Sequence, residues 1–474
     1  MKKTILFTYF TLILSIPALV FGSNLPDLGA PDLKDYDSQT ETSLGRAFSV
    51  ALHEQYDLFY DATTLSYVRH IGNKITSQTG QARQFSFYII NDSEINAFAG
   101  PNGVIGIHTG LILAAKTEDE LASVMAHEIA HVTQRHLSRT FEYQDNVSIT
   151  SIASLIAAIL VGSQDLSAGI ATYMGGMGLN IQQQLKNSRI HENEADYFGI
   201  KYLEKAGYNP YAMSDFFGRL EKESQLNEYK PPEILLTHPV TEERLAKAKE
   251  RAYQLSKIAP RTYHKKSLKL IQLRMQVLLG IKDFYGDKQL DKNEKCYLKN
   301  LESLQKASAN KTSFDPQCLK EATRQYPNNK LYRLLSAQVE AYLNPDKSDK
   351  DFTYLAAIYP SDFSIPYLHA LALVQNSKVD KAIALLKKAT PKFHYQQLMY
   401  SELSKLYSQK QQPKYSYYYN ALANYNIGNT AKALYLLKQA KHLEKNQNSL
   451  FFNKLIQLEQ QIAYEQKIAN QKLK

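Results

Sequence analysis

Hydrophobic and polar positions along this chain fall into runs of distinct kinds. Phe85-Ser86-Phe87-Tyr88-Ile89-Ile90 mixes aromatic and β-branched residues and predicts a strand. Gly100-Pro101-Asn102-Gly103 predicts a turn, and Val104-Ile105-Gly106-Ile107-His108 a second strand, placed at the edge of a sheet. An edge strand offers free amides and carbonyls to an extended peptide, although an ordinary structural hairpin has the same periodicity. Thr117-Glu118-Asp119-Glu120 is a capping box that starts a helix, and no Pro or Gly interrupts residues 117–139. Leu121 to Ala126 are good helix formers, and the small Ala126 and Ala130 let a neighbour approach closely, so this helix is expected to be largely buried.

Three other stretches are patterned. Ile5 to Phe21 is uncharged and mostly apolar, follows Lys2-Lys3 and ends at the small Gly22, which predicts a signal peptide over residues 1–22 and export of the rest. Val147 to Val161 carries no charge, but its 15 residues fall short of the ~20 that a membrane-spanning helix needs. Asp165 and Gly169, Gly175, Gly176 and Gly178 break the continuation to Ile181. A lid over a site is the expectation there, with buried core helices or a membrane-surface contact as alternatives. Towards the C-terminus, Lys381 to Ala389 (KAIALLKKA) resembles Lys432 to Ala440 (KALYLLKQA), and Tyr326-Pro327 and Tyr359-Pro360 each precede an amphipathic helix. Such degenerate copies resemble tetratricopeptide repeats and predict an all-α solenoid of roughly four helix pairs, whose concave face suits extended peptides.

Charge sharpens this division. Residues 261–474 hold 34 Lys and Arg against 17 Asp and Glu, a net +17 within a chain whose total is +10. The boundary is therefore expected near Ile258-Ala259-Pro260, with one domain over 23–260 and a helical one over 261–474. A basic face first suggests nucleic acid, but export argues against it. An acidic partner, the chain's own acidic half or a peripheral membrane contact fits better. The 33 tyrosines suit adaptable peptide contacts. Cys296 and Cys318 are the two cysteines; a bridge is allowed in an oxidising compartment and stabilises by about 3 kcal/mol in the chain-entropy account, the alternative being two buried thiols.

Candidate chemistry lies in His127-Glu128-Ile129-Ala130-His131. Residues four apart on a helix lie one above the other, so both imidazoles can grip one zinc ion, and Glu128 stands a ~100° turn away as general base. A satisfied pair of core histidines is the plain alternative. A catalytic zinc needs a third protein ligand. Sixty residues beyond His131 comes His191-Glu192-Asn193-Glu194-Ala195-Asp196. Glu192 and Asp196 share a helix face, whereas Glu194 points roughly the other way. Glu192 is assigned as third ligand, and Asp196 as the carboxylate that accepts from the far nitrogen of a ligating histidine and so supports catalysis. A solvated acidic face at a helix N-terminus is the alternative. His191 reads as a surface residue.

His127 to His131 followed by Glu192-Asn193-Glu194-Ala195-Asp196 resembles the HtpX-type gluzincin family of zinc metallopeptidases. Leu25-Pro26-Asp27, Ile95 to Ala99, Leu121 to Gln134, Pro231 to Pro239 and Glu243-Arg244-Leu245 extend the likeness over roughly residues 25–260. The resemblance implies an α+β zincin-like domain with one Zn2+ per chain on His127, His131 and Glu192, and a substrate strand near Asn96, Ala97 and Phe98. It also implies a periplasmic endopeptidase acting on unfolded or misassembled outer-membrane proteins, with the repeats engaging the outer-membrane β-barrel assembly machinery. His238, before Pro239, is biased towards an extended loop and has two competing roles. It stabilises the oxyanion, or it fills the open zinc position and makes the enzyme latent. Arg244 is expected to anchor this loop to a carboxylate. A chaperone with a latched zinc site is the rival from another class; a non-proteolytic metal hydrolase fits the spacing but not the tail.

Overall fold

Helices α1 (Ser38–Gln55) and α2 (Ala62–Thr76) lead into a small mixed sheet. Asp61 starts α2 by accepting from the Thr64 amide at 2.8 Å, the bond an N-cap carboxylate makes with an otherwise orphaned donor. Strands β1 (Ser86–Ile90), β2 (Ala97–Ala99) and β3 (Val104–His108) lie in the order β1-β3-β2. β3 pairs parallel with β1, Phe87 opposite Ile105, and antiparallel with β2, Phe98 opposite Gly106. The expectation of β3 at the edge is therefore corrected: it is the central strand and forms no hairpin with β1. All five of its residues are buried. β1 and β2 form the two edges of the sheet.

This computed structural model describes residues 38–142, 181–226, 231–256, 266–282, 284–285, 289–307, 313–393 and 397–471. The expected signal peptide, the Leu25-Pro26-Asp27 segment, nearly all of the Val147 to Ile181 stretch and the Ile258-Ala259-Pro260 boundary lie outside them.

After α3 (Thr109–Ala114) comes α4 (Glu118–Thr133). Thr117 caps it, accepting from the Glu120 amide at 3.2 Å, while the Glu120 carboxylate reaches back one residue further than a capping box requires, to the Lys116 amide at 2.7 Å. The helix ends at Thr133, although no Pro or Gly interrupts residues 117–139. Arg135 takes a left-handed φ of 56°, uncommon without glycine, and a separate helix α5 (His136–Glu142) departs from there. α6 (Ile181–Lys205) packs on α4 where Ala126 and Ala130 leave room. A methyl at Gly199 of α6 would sit 3.2 Å from both the Ala126 carbonyl and the His127 amide, so glycine is what lets the helices approach. Helices α7 (Ala212–Leu226), α8 (Glu233–Thr237) and α9 (Glu242–Ser256) complete this part.

Helix α10 (Lys266–Leu279) begins the basic half, yet Leu268, Leu270, Ile271, Leu273 and Met275 join the same hydrophobic core as α2, the sheet, α4 and α6. Ten more α-helices follow among the described residues, from α11 (Lys292–Lys306) and α12 (Pro316–Gln325) through α13 (Lys330–Leu343), α14 (Pro345–Ile358), α15 (Ser364–Gln375), α16 (Val379–Ala389), α17 (Gln397–Gln409), α18 (Pro413–Asn426) and α19 (Thr430–Leu443) to α20 (Leu450–Gln471). Each packs on the next, giving five successive pairs rather than the four expected. The two similar segments fall on α16 and α19 and bury three equivalent positions: Ala382, Leu386 and Ala389 in one, Ala433, Leu437 and Ala440 in the other. Cys296 of α11 is bonded to Cys318 of α12. Among the described residues no helix is long and apolar enough to cross a membrane.

Candidate metal centre

α4 presents His127 and His131 on one face, α6 brings Glu192 against them, and the loop after α8 adds His238. Ligand atoms of these four residues all lie within 4.8 Å of one another. The His127 Nε2 is 3.0 Å from His131 Nε2, 3.3 Å from His238 Nδ1 and 3.3 Å from Glu192 Oε2. Glu192 oxygens lie 3.1 Å from His238 Nδ1 and 3.4 Å from His131 Nε2. Ligands about 2.0–2.1 Å from a tetrahedral zinc stand about 3.3 Å from each other, so these donors fit a metal of that size. Their chemistry, three imidazole nitrogens and a carboxylate, suits a borderline divalent ion.

Glu128 is buried beside them, its Oε1 3.5 Å from His238 Nε2 and without a hydrogen-bond partner. Burial raises its pKa above the ordinary carboxylate range, against the pull of His238 and His127. Such an unpartnered buried oxygen is costly unless something is bound opposite it.

Carboxylates and an arginine hold the donors. Asp196 Oδ1 lies 3.1 Å from His127 Nδ1, the far nitrogen. Burial pulls the His127 pKa down, but the bonds to Asp196 and Glu192 outweigh it and lift it to about 10. Arg244 donates to Asp196 through Nε at 2.8 Å and Nη2 at 2.9 Å, lies 3.1 Å from Glu192 through Nη1, and donates from Nη1 to the Pro239 carbonyl at 2.8 Å. Against the cost of burial, Arg244 keeps Asp196 below the usual carboxylate range. Burial instead lowers the His131 pKa well below its ordinary value.

Around His131 the sequence was misleading. His191 is not on the surface: it is 7% exposed and its ring stacks on His136, centroids 4.4 Å apart. The α6 face that carries it packs towards α5, and burial beside His136 depresses its pKa to about 3. His136, Arg139 and Glu194 were not anticipated. His136 Nδ1 sits 3.0 Å from His131 Nδ1 and its Nε2 3.0 Å from Glu194 Oε2, to which Arg139 donates at 2.7 Å. Five residues separate His131 from His136, a spacing that diverges on a continuous helix. Only the break at Arg135 brings the rings together, and the sequence carries no signal for it.

Asn96 immediately precedes β2, to which Ala97 and Phe98 belong. Asn96 and Ala97 are buried, Phe98 is half-buried, and β2 packs on α4. The Ile234 amide of α8 donates to the Ile95 carbonyl at 3.1 Å, tying the loop that carries His238 to the start of β2.

A helix presenting two histidines and a glutamate, with a carboxylate from a second helix, is the arrangement of a metallopeptidase. Residues 64–252 match the model of Peptidase family M48. It is 35% identical over 235 residues to the beta-barrel assembly-enhancing protease of Escherichia coli K12, covering 49% of this chain and 48% of that protein. A Vibrio cholerae serotype O1 relative, given the same name provisionally, is 41% identical over 244 residues, 51% of this chain and 50% of its own. The mitochondrial metalloendopeptidase OMA1 of Schizosaccharomyces pombe is 31% identical over 193 residues, 40% of this chain and 53% of its own. The chain spans about half the length of the curated relatives it matches.

Proposed function

We propose that this protein is a periplasmic zinc endopeptidase that degrades misfolded or stalled outer-membrane proteins and assists β-barrel assembly. The observation that carries the reading is the convergence of His127, His131, Glu192 and His238 beside the unpartnered Glu128 carboxylate. His127, His131 and Glu192 would hold the ion, which when bound supplies Lewis acidity to water and to the scissile carbonyl. Glu128 takes a proton from the attacking water; the C–N bond breaks and Glu128 delivers that proton to the leaving amine. Asp196, fixed by Arg244, keeps Nδ1 of His127 as donor so that Nε2 faces the metal. An extended client would add to the edge strand β2 near Asn96, Ala97 and Phe98. The helical region, read as a tetratricopeptide-type solenoid, would recruit clients and engage the assembly machinery. No role for nucleic acid is proposed; a peripheral membrane contact fits the basic tail.

A second reading rests on His238. Its Nδ1 is as close to Glu192 and His127 as a fourth ligand would be, and a four-ligand site is closed to substrate. The protein would then work mainly as an assembly factor with a latched site. Digestion of an unfolded outer-membrane β-barrel protein by the purified full chain tests both. Glu128→Gln and a zinc chelator should each abolish cleavage, with a loss of ~10²-fold or more for the variant. Cleavage that survives Glu128→Gln would refute the peptidase reading. His238→Ala faster than the native chain identifies a latch; slower identifies a transition-state role. Barrel assembly retained by Glu128→Gln favours the assembly factor.

A further inference from the structure

The two histidines of α4 are supported in different ways. His127 reaches a carboxylate directly, Asp196, which Arg244 holds. Among the described residues no carboxylate bonds the far nitrogen of His131. Instead His136 stands there, 3.0 Å from Nδ1, and the carboxylate, Glu194, lies 3.0 Å beyond, held in turn by Arg139 at 2.7 Å. The protons follow from the geometry. His131 can offer a lone pair at Nε2, the atom facing Glu192, only as the neutral tautomer with its proton on Nδ1. That Nδ1–H must donate to His136 Nδ1, which leaves the His136 proton on Nε2, where Glu194 accepts it. Every bond then runs one way, from His131 to the carboxylate.

The geometry points to His136, backed by Glu194 and Arg139, as the positioning residue that fixes the tautomer and ring orientation of His131 as a metal ligand. This inference rests on the metal centre proposed above. Three independent features serve it. The left-handed Arg135 turns the chain so that His136 folds back over His131. His136 is only 4% exposed, and the flat stack on His191 leaves its ring one orientation. On α6, Glu192, Glu194 and Asp196 serve the site in turn: the first among the metal-facing donors, the second behind His131, the third behind His127. A buried imidazole with both nitrogens committed to a ligand on one side and a carboxylate on the other is otherwise an expensive way to fill space.

The test is Zn2+ affinity of the full chain, measured by competition with a chromogenic chelator, with melting of the metal-free form alongside. His136→Phe keeps the ring and its stack but removes both bonds; His136→Asn restores an acceptor for the His131 proton. Outer-sphere partners of this kind are worth ~10–100-fold in affinity. His136→Phe should therefore bind Zn2+ at least ~10-fold more weakly, with its metal-free melting temperature unchanged, and His136→Asn should recover most of the loss. His136→Phe within twofold of the native chain would overturn the inference, as would equal losses in Phe and Asn variants. Should His136→Phe not fold, Glu194→Gln tests the far end, and native affinity there would overturn it too. A native chain that binds no Zn2+ fails the metal-centre reading itself, a result distinct from all of these.

Discussion

Glu192 and Asp196 are buried on one face of α6, and Glu128 is buried across from them. Three carboxylates at such range repel one another unless cations intervene. Arg244 is the permanent cation: its fork holds Asp196 with two bonds, lies against Glu192 and ties down the Pro239 carbonyl beside His238. Removing one partner of a buried ion pair leaves an uncompensated charge, at about 3–5 kcal/mol. Arg244→Leu should lower stability by about that much in urea unfolding of the metal-free chain. Arg244→Lys should recover only part, because an ammonium restores charge but not the two-pronged geometry. A loss below about 1 kcal/mol for the leucine variant would mean that the site tolerates its carboxylates without Arg244.

Between elements, the best-defined tie joins α2 to α10. Asp61 caps α2 and accepts from Arg274 of α10 twice, at 2.7 Å through Nε and through Nη2. Burial pushes the Asp61 pKa up, but Arg274 and the Thr64 bonds bring it below the ordinary value. A lowered folded pKa contributes stability that is present above the unfolded value of about 3.9 and lost as pH falls through the folded one. Arg274→Leu should therefore cost most near pH 7, and the gap to the native chain should narrow below about pH 4. A gap independent of pH in denaturant titrations would assign the loss to packing instead. This tie was not legible in the sequence, since it depends on which helices meet across some 200 residues. The helix carrying His127 and His131 was legible, because the Thr117 cap, the i, i+4 histidines and the small Ala126 and Ala130 are all local signals. Sheet order and the break at Arg135 were not: β3 reads like any apolar strand, and Arg135 has nothing in its side chain that demands a left-handed backbone.

At the scale of the molecule, charge and hydrophobic burial divide the chain differently. Charge changes sign near residue 260, whereas the core runs on through α10 and up to Val339 and Phe363. The peptidase part also receives Gln272, whose amide donates to the Ile112 and Ala115 carbonyls at 2.9 and 2.8 Å. The last helix returns to the first, Glu465 of α20 lying 3.0 Å from Arg46 of α1. Leu268, Leu270, Ile271, Leu273 and Met275 are at most 1% exposed. At about 1.5–3 kcal/mol each, they contribute on the order of 10 kcal/mol, as much as the net stability of a typical domain. A chain ending at residue 260 would keep every candidate ligand and lose α10. Without that burial its core faces water, so it should melt without a cooperative transition and bind a dye specific for exposed apolar surface, while the full chain does neither. A cooperative melt near the temperature of the full chain would show that the peptidase part folds alone and that the tail is an appendage. The expected failure would mean that the C-terminal helical region and the helix carrying His127 and His131 share one core, so that strain at one is felt at the other.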